Sequence, residues 1–249
     1  MSSKGEPASE HKGGETFPPT HWSVILSAAQ RGSPEADVAL ARLCEGYWYP
    51  LYAFLRRRGS SPEQAEDLTQ GYFDMLMRRE VLAGLTMDGG RFRSFLLTTL
   101  KRFLANEWHR EHAQKRGGGL VLRPLSAEAE DRFRFEPVDH ATPETEYERQ
   151  WAWTVLDRVG ARVREEYSAA GKAALFGRLE PALPGTAGEV DYAAAAAVLQ
   201  TTEPALRMAA VRLRRRYGEL LRAEIAQTVT DPSEVDEEIR HLINVIGGS

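Results

Sequence analysis

Cysteine is almost missing from this chain. Cys44 stands alone, which excludes internal disulfides and cysteine-rich zinc sites, and its apolar neighbours point to a buried thiol. Long apolar runs are missing too. Nowhere do about eighteen apolar residues follow one another, as a membrane-spanning helix requires, and the polar stretch from Met1 to Gly14 has no apolar centre to act as an export signal. A cytoplasmic location is the expectation. Strand-like alternation is weak throughout, and there is no internal repeat. No Gly-x-x-x-x-Gly-Lys loop is present to cradle phosphates. The pair His109 and His112, beside Glu107 and Glu111, has the helical spacing of two metal ligands but no third partner in sequence. Neither catalysis nor a metal nor a cofactor is expected.

What is present is an ordinary globular composition, 42% hydrophobic and 27% charged over 249 residues, which is long for one domain and suits two small ones. Apolar positions recur at three- and four-residue steps, so the fold class is all-α. The net charge of -4 conceals a sorting of signs along the chain. Arg91 to Arg116 holds seven Lys and Arg against Glu107 and Glu111, and Arg207 to Arg222 holds six Arg against Glu219 alone. Acids collect in Glu63 to Asp74, Glu128 to Glu148 and Asp231 to Glu238. The run Gly117-Gly118-Gly119, followed by Pro-containing acidic sequence, reads as a flexible linker. The expected organisation is a disordered tail over 1–18, a first domain over 19–116, the linker over 117–143, a second domain over 144–227 and an amphipathic tail helix over 228–249.

In the first domain Leu40, Cys44, Tyr47, Trp48, Leu51 and Leu55 line one helical face, expected to bend or break at Pro50. Ser61-Pro62-Glu63-Gln64 is a capping box with proline at the first helical position. In the helix it opens, Ala65, Leu68, Tyr72, Met75 and Leu76 form a core stripe. Glu63, Asp67, Gln70 and Asp74 form an acidic stripe opposite. A helix from about Arg91 to His112 turns Phe92, Leu96, Leu100 and Phe103 inward. Ser94, Thr98, Lys101, Arg102, Ala105 and His109 lie on the other side, a mixture of small and cationic residues suited to close approach of a phosphate backbone.

The second domain pairs a short helix, Tyr192 to Leu199 capped by Asp191, with a longer basic helix from Pro204 to about Ile225. The break between them is Gln200-Thr201-Thr202-Glu203. This is the pattern of helix-turn-helix DNA readers. Leu206, Ala210, Leu213, Tyr217 and Leu220 form the inner stripe, Met208, Val211, Arg212 and Arg215 point outward, and Arg207, Arg214 and Arg216 flank that outer face, within reach of phosphates or base edges.

Taken in order, these pieces resemble the extracytoplasmic-function (ECF) group of the bacterial sigma-70 family, from about Thr20 to Gln227. Ala65-Glu66-Asp67-Leu68-Thr69-Gln70 is similar to the family's Asp-Leu-x-Gln signature on the helix that docks on the clamp helices of the largest subunit of core RNA polymerase. The resemblance therefore implies a polymerase surface of Glu63, Asp67, Gln70 and Asp74. Arg91-Phe92-Arg93-Ser94-Phe95-Leu96, with Ala105-Asn106-Glu107-Trp108, resembles the segment that captures the melted -10 element. That implies single-strand contacts from Arg91, Arg93, Phe95, Thr98, Lys101, Arg102, Trp108 and His109, with aromatic stacking worth roughly 1–3 kcal/mol per base. Tyr192 to Leu221 resembles the reader of the duplex -35 element, implying contacts from Arg207, Met208, Val211, Arg212, Arg215 and Arg216. Gly71 and Gln200 depart from the family pattern, Gln200 standing where glycine usually opens the turn.

The partners implied are core RNA polymerase and promoter DNA, both duplex and melted, with an anti-sigma factor left open and the free chain expected to be monomeric. The rival reading is a helix-turn-helix regulator that binds duplex DNA without polymerase, which would leave the acidic stripe unexplained. The tail has its own cap, Asp231-Pro232-Ser233-Glu234, before Ile239, Leu242, Ile243 and Ile246 at helical spacing. Packing on the second domain is its favoured role, and masking of a DNA helix is the functional alternative.

Overall fold

The computed structural model describes Trp22 and residues 34–78, 90–111, 126–135 and 142–248, and among them it is helical, without a named strand. Helix α1 spans Pro34–Glu45, α2 Trp48–Arg57, α3 Pro62–Met77 and α4 Phe92–Glu111. Helix α5 spans Ser126–Phe135, α6 Pro143–Ala169 and α7 Ala173–Leu179. Helix α8 spans Tyr192–Val198, α9 Glu203–Ala226 and α10 Val235–Gly247. The expected N-terminal tail, Gly117 to Gly119 and His112 lie outside the described residues.

Helix starts follow local chemistry. Ser61 Oγ accepts from the Gln64 N–H at 3.2 Å while Gln64 Oε1 accepts from the Ser61 N–H at 3.0 Å, completing the capping box with Pro62 just inside. Thr142, Asp191 and Thr202 cap α6, α8 and α9, each side chain accepting the backbone N–H three residues on. The break expected at Pro50 falls earlier, at the Gly46-Tyr47 turn. Pro50 sits in the first turn of α2, where a missing N–H costs nothing because that group has no partner within the helix. Cys44 is buried, and desolvation pushes its thiol up to about 12.

The 27-residue α6, roughly 40 Å long, joins the two halves of the chain. Its first half is built into the core of the N-terminal part. The Trp151 indole N–H donates to the Tyr47 hydroxyl at 3.1 Å, and the Tyr147 hydroxyl donates to the Arg93 carbonyl at 2.9 Å. Its second half serves α9, where the Tyr217 hydroxyl donates to the Leu156 carbonyl at 3.2 Å. One continuous apolar core runs from Trp22 and Leu40 through Trp151 to Tyr217 and Leu242, and a small satellite of Ala195, Ala196 and Leu206 holds α8 on α9. A boundary at residue 144 therefore does not separate two cores, because α6 supplies side chains to both halves.

The 117–143 segment is also more than a flexible linker, since α5 lies within it with Ala129 and Glu130 buried. Glu130 accepts from the Tyr52 hydroxyl at 2.8 Å and from Nε and Nη2 of Arg56, both at 3.0 Å. Arg132 lies 4.0 Å over the Tyr49 ring, and Phe133 lies under Arg56 and Arg57. These are charge-assisted and cation–π contacts, which leave no apolar stripe for periodicity to find. The tail helix α10 packs on α6 and α9 through Val235 and Leu242. No helix among the described residues is long and apolar enough to cross a membrane.

Candidate nucleic-acid and polymerase interfaces

Helix α3 presents the acidic stripe as expected. Glu63 and Asp67 are exposed, Gln70 and Asp74 half-buried. Its own backbone N–H and the Ser61 hydroxyl hold the Glu63 carboxyl below the usual carboxylate range. The opposite side is anchored by Tyr72, whose hydroxyl donates to the Leu96 carbonyl at 2.8 Å and pairs with Thr99, tying α3 to α4. The stripe is thus carried on a helix that cannot roll without breaking buried hydrogen bonds.

The start of α4 differs from the expected single-strand surface. Arg93 is 5% exposed, with its guanidinium shared between Glu238 of α10 and Glu148 of α6 and lying 5.1 Å over the Trp151 ring. Burial alone would pull this guanidinium down, but Glu238 and Glu148 outweigh it and leave Arg93 above its ordinary value. Arg91 pairs with Glu237 at 2.7 Å and Glu238 at 3.0 Å. Phe95 is a core residue, 8% exposed, with its ring centroid 5.1 Å from that of Trp22. Arg93 and Phe95 therefore face the protein interior here, not solvent.

The rest of α4 keeps the expected outer face. Thr98 and Arg102 are exposed, and Lys101, also exposed, pairs with Glu144 at 2.8 Å. Trp108 and His109 continue the helix, and their side chains lie outside the described residues. Among the described residues no three His, Cys, Asp or Glu are grouped to hold a metal ion.

Helices α8 and α9, joined by a short turn, pack on each other through Ala195, Ala196 and Leu206. The turn contains Gln200 at φ 50°, the left-handed region that favours glycine, and Thr202 then caps α9. Gln200→Gly is expected to stabilise the unit by up to about 1 kcal/mol, read as a raised denaturant midpoint at unchanged slope. On α9, Met208 and Val211 are 56% and 53% exposed, an apolar pair beside exposed Arg212 and Arg215. Arg215 leans on Glu219 at 3.1 Å, while Arg207 pairs loosely with Glu203 at 3.6 Å and lies 4.4 Å over the Tyr192 ring. Arg214 donates to the Ala182 carbonyl at 3.0 Å.

Arg216 is different. It makes a two-pronged pair with Glu166 of α6, both arms at 2.7 Å, and also contacts Glu219. Its role here is to fasten α9 to α6, which removes it from the outward face. The glutamates hold its guanidinium above the ordinary value, and it holds Glu166 and Glu219 low.

Two features were not anticipated from sequence. Val198, the last residue of α8, is exposed beside the turn. Trp22 is fully buried, donating its indole N–H to the Gly90 carbonyl at 3.0 Å and its backbone N–H to the Gln227 carbonyl at 3.1 Å. Neither belongs to a periodic run that would have marked it.

What the described residues define is an all-helical protein in which the long helix α6 packs against both α2 and α9. Comparisons with protein-family models, with curated proteins and with solved structures find no match.

Proposed function

We propose that this chain is a sigma factor of the extracytoplasmic-function type, which joins core RNA polymerase and directs transcription initiation by contacting -10 and -35 promoter elements. The observation that carries the reading is the pairing of opposite surfaces in one chain: an acidic stripe on capped, anchored α3 and a basic, apolar-tipped face on α9 behind a helix turn. The first matches the Asp-Leu-x-Gln resemblance, with Asp67 exposed and Leu68 and Tyr72 turned inward. The second has the residue types that read a major groove, since Arg donates to guanine edges and apolar side chains contact thymine methyls. In this reading α1 to α4 serve polymerase and the melted strand, α8 and α9 serve the upstream duplex, and the protein works in the cytoplasm without catalytic residue or cofactor.

Mixing the purified chain with bacterial core RNA polymerase tests the reading. Co-elution together with promoter-specific starts from a genomic fragment library is the expected result. A chain that binds duplex DNA but never associates with core would overturn it in favour of a polymerase-independent helix-turn-helix regulator. That second reading has one observation in its favour, the interior placement of Arg93 and Phe95 at the start of α4.

Replacing Arg212 and Arg215 together by alanine should weaken duplex binding by roughly 2 kcal/mol or more, about 30-fold, in a fluorescence titration against a mapped promoter. Retention of full duplex affinity by that variant would remove α9 as the reader.

A further inference from the structure

Alongside Glu148 and Trp151 of α6 and the Trp22 ring, the chain's own C-terminal segment covers the start of α4. The Phe92 N–H donates to the Thr228 carbonyl at 2.9 Å, and Arg91 and Val229 form an antiparallel bridge. Beyond the turn, the first turn of α10 carries Asp236, Glu237 and Glu238, where negative charge is favoured by the helix dipole. Glu237 and Glu238 meet Arg91, and Glu238, itself fully buried, also meets Arg93. Asp236 pairs with Arg222 of α9. Each carboxylate thus occupies a position at a guanidinium that a phosphate of a nucleic-acid strand would otherwise take.

We propose that α10 is an internal competitor for single-stranded DNA. Its first-turn carboxylates hold Arg91 and Arg93 against the body of the protein, and the start of α4 receives a strand only when α10 and the Thr228–Val229 segment move away. This rests on the reading of α4 as a strand-binding helix. The hold is polar at its tip and only moderately apolar along its length, with Val235 and Leu242 buried but Ile243 exposed. A competing polyanion can therefore displace it at the ion pairs first. The apparent affinity of the intact chain for a strand is reduced by the fraction of molecules that are closed.

The test compares the full chain, a full-length Glu237→Gln/Glu238→Gln variant and a chain ending at Thr230. Each is titrated into a fluorescein-labelled single-stranded oligodeoxynucleotide of mixed sequence. Both altered chains should bind about tenfold more tightly than the unaltered one or better. A synthetic peptide of residues 231–249 should reverse the gain in the shortened chain. Equal dissociation constants for all three, with unchanged circular dichroism and elution, would overturn the proposal and leave α10 a structural prop.

A second measurement on the unaltered chain covers variants that fail to fold. The Phe92 amide should lose hydrogen-exchange protection when the oligonucleotide is saturating, and continued full protection would equally overturn the competitor role. Co-elution with core polymerase on the same samples separates the two readings. Tighter strand binding without co-elution sinks the sigma assignment but not the competitor, while co-elution without tighter strand binding does the reverse.

Discussion

Trp151→Ala is expected to lower the unfolding free energy by about 3–5 kcal/mol, the range for removing a large buried aromatic. Trp151 is 1% exposed at the point where α6 enters the N-terminal core. Its loss empties a buried ring position, deprives the Tyr47 hydroxyl of its donor and takes away the ring under Arg93. For a chain of this size the shift in melting temperature should be roughly 6–20 °C. Because α6 belongs to both halves, the helix-turn-helix end should lose stability with the N-terminal part in one shared transition. A Trp151→Ala protein in which α8 and α9 melt at the original temperature, while only the N-terminal part is weakened, would show that the halves fold independently and that the shared core counts for little.

Asp67→Arg combined with Gln70→Ala should reduce association with core RNA polymerase by about 100-fold or more, since a reversed charge at an interface costs several kcal/mol. Asp67 is exposed on α3 and makes no contribution to the core, so the folded state should survive the change. Duplex binding through α9 should be little altered, because Arg212 and Arg215 stand on a different helix from Asp67 and Gln70. The informative comparison is with the Arg212 and Arg215 double variant, which should show the opposite pattern. Equal loss of both properties in both variants would refute the division of labour between α3 and α9, and unchanged polymerase association would remove the acidic stripe as the docking surface.

Much of the local structure can be read from short stretches of the chain. The capping box at Ser61, the caps at Asp191 and Thr202, and the inner stripe Leu206, Ala210, Leu213, Tyr217 and Leu220 all depend on neighbours within one or two helical turns. The all-helical class follows from the same periodicity. The glycine-like position of Gln200 is also local, since a helix ending in a tight turn needs one residue in the left-handed region whatever surrounds it. The core face of α4 was equally visible, with Phe92, Leu96 and Leu100 all buried.

Residues whose role depends on a distant partner were not legible in this way. A basic side chain serves a phosphate or a carboxylate equally well, so nothing local distinguishes Arg216, tied to Glu166 fifty positions away, from Arg212 on the open face. Arg93 shows the same ambiguity, because its partners Glu148 and Glu238 lie in two other helices. Phe95 fits a stacking role until Trp22 is found against it. Helix α5 was hidden because Glu130 and Phe133 are stabilised by cations on α2, not by an apolar stripe of their own.

The amino-acid sequence by itself determined where helices begin, how their faces are phased and which charges cluster, because these are set by hydrogen bonds and side-chain spacing within a few residues. Only the tertiary structure decided which clusters remain outward. Long-range packing of α6 and α10 gives Arg91, Arg93 and Arg216 carboxylate partners inside the chain while leaving Arg212 and Arg215 on the outer face of α9. That choice depends on which helices meet in space, and no run of neighbouring residues contains it.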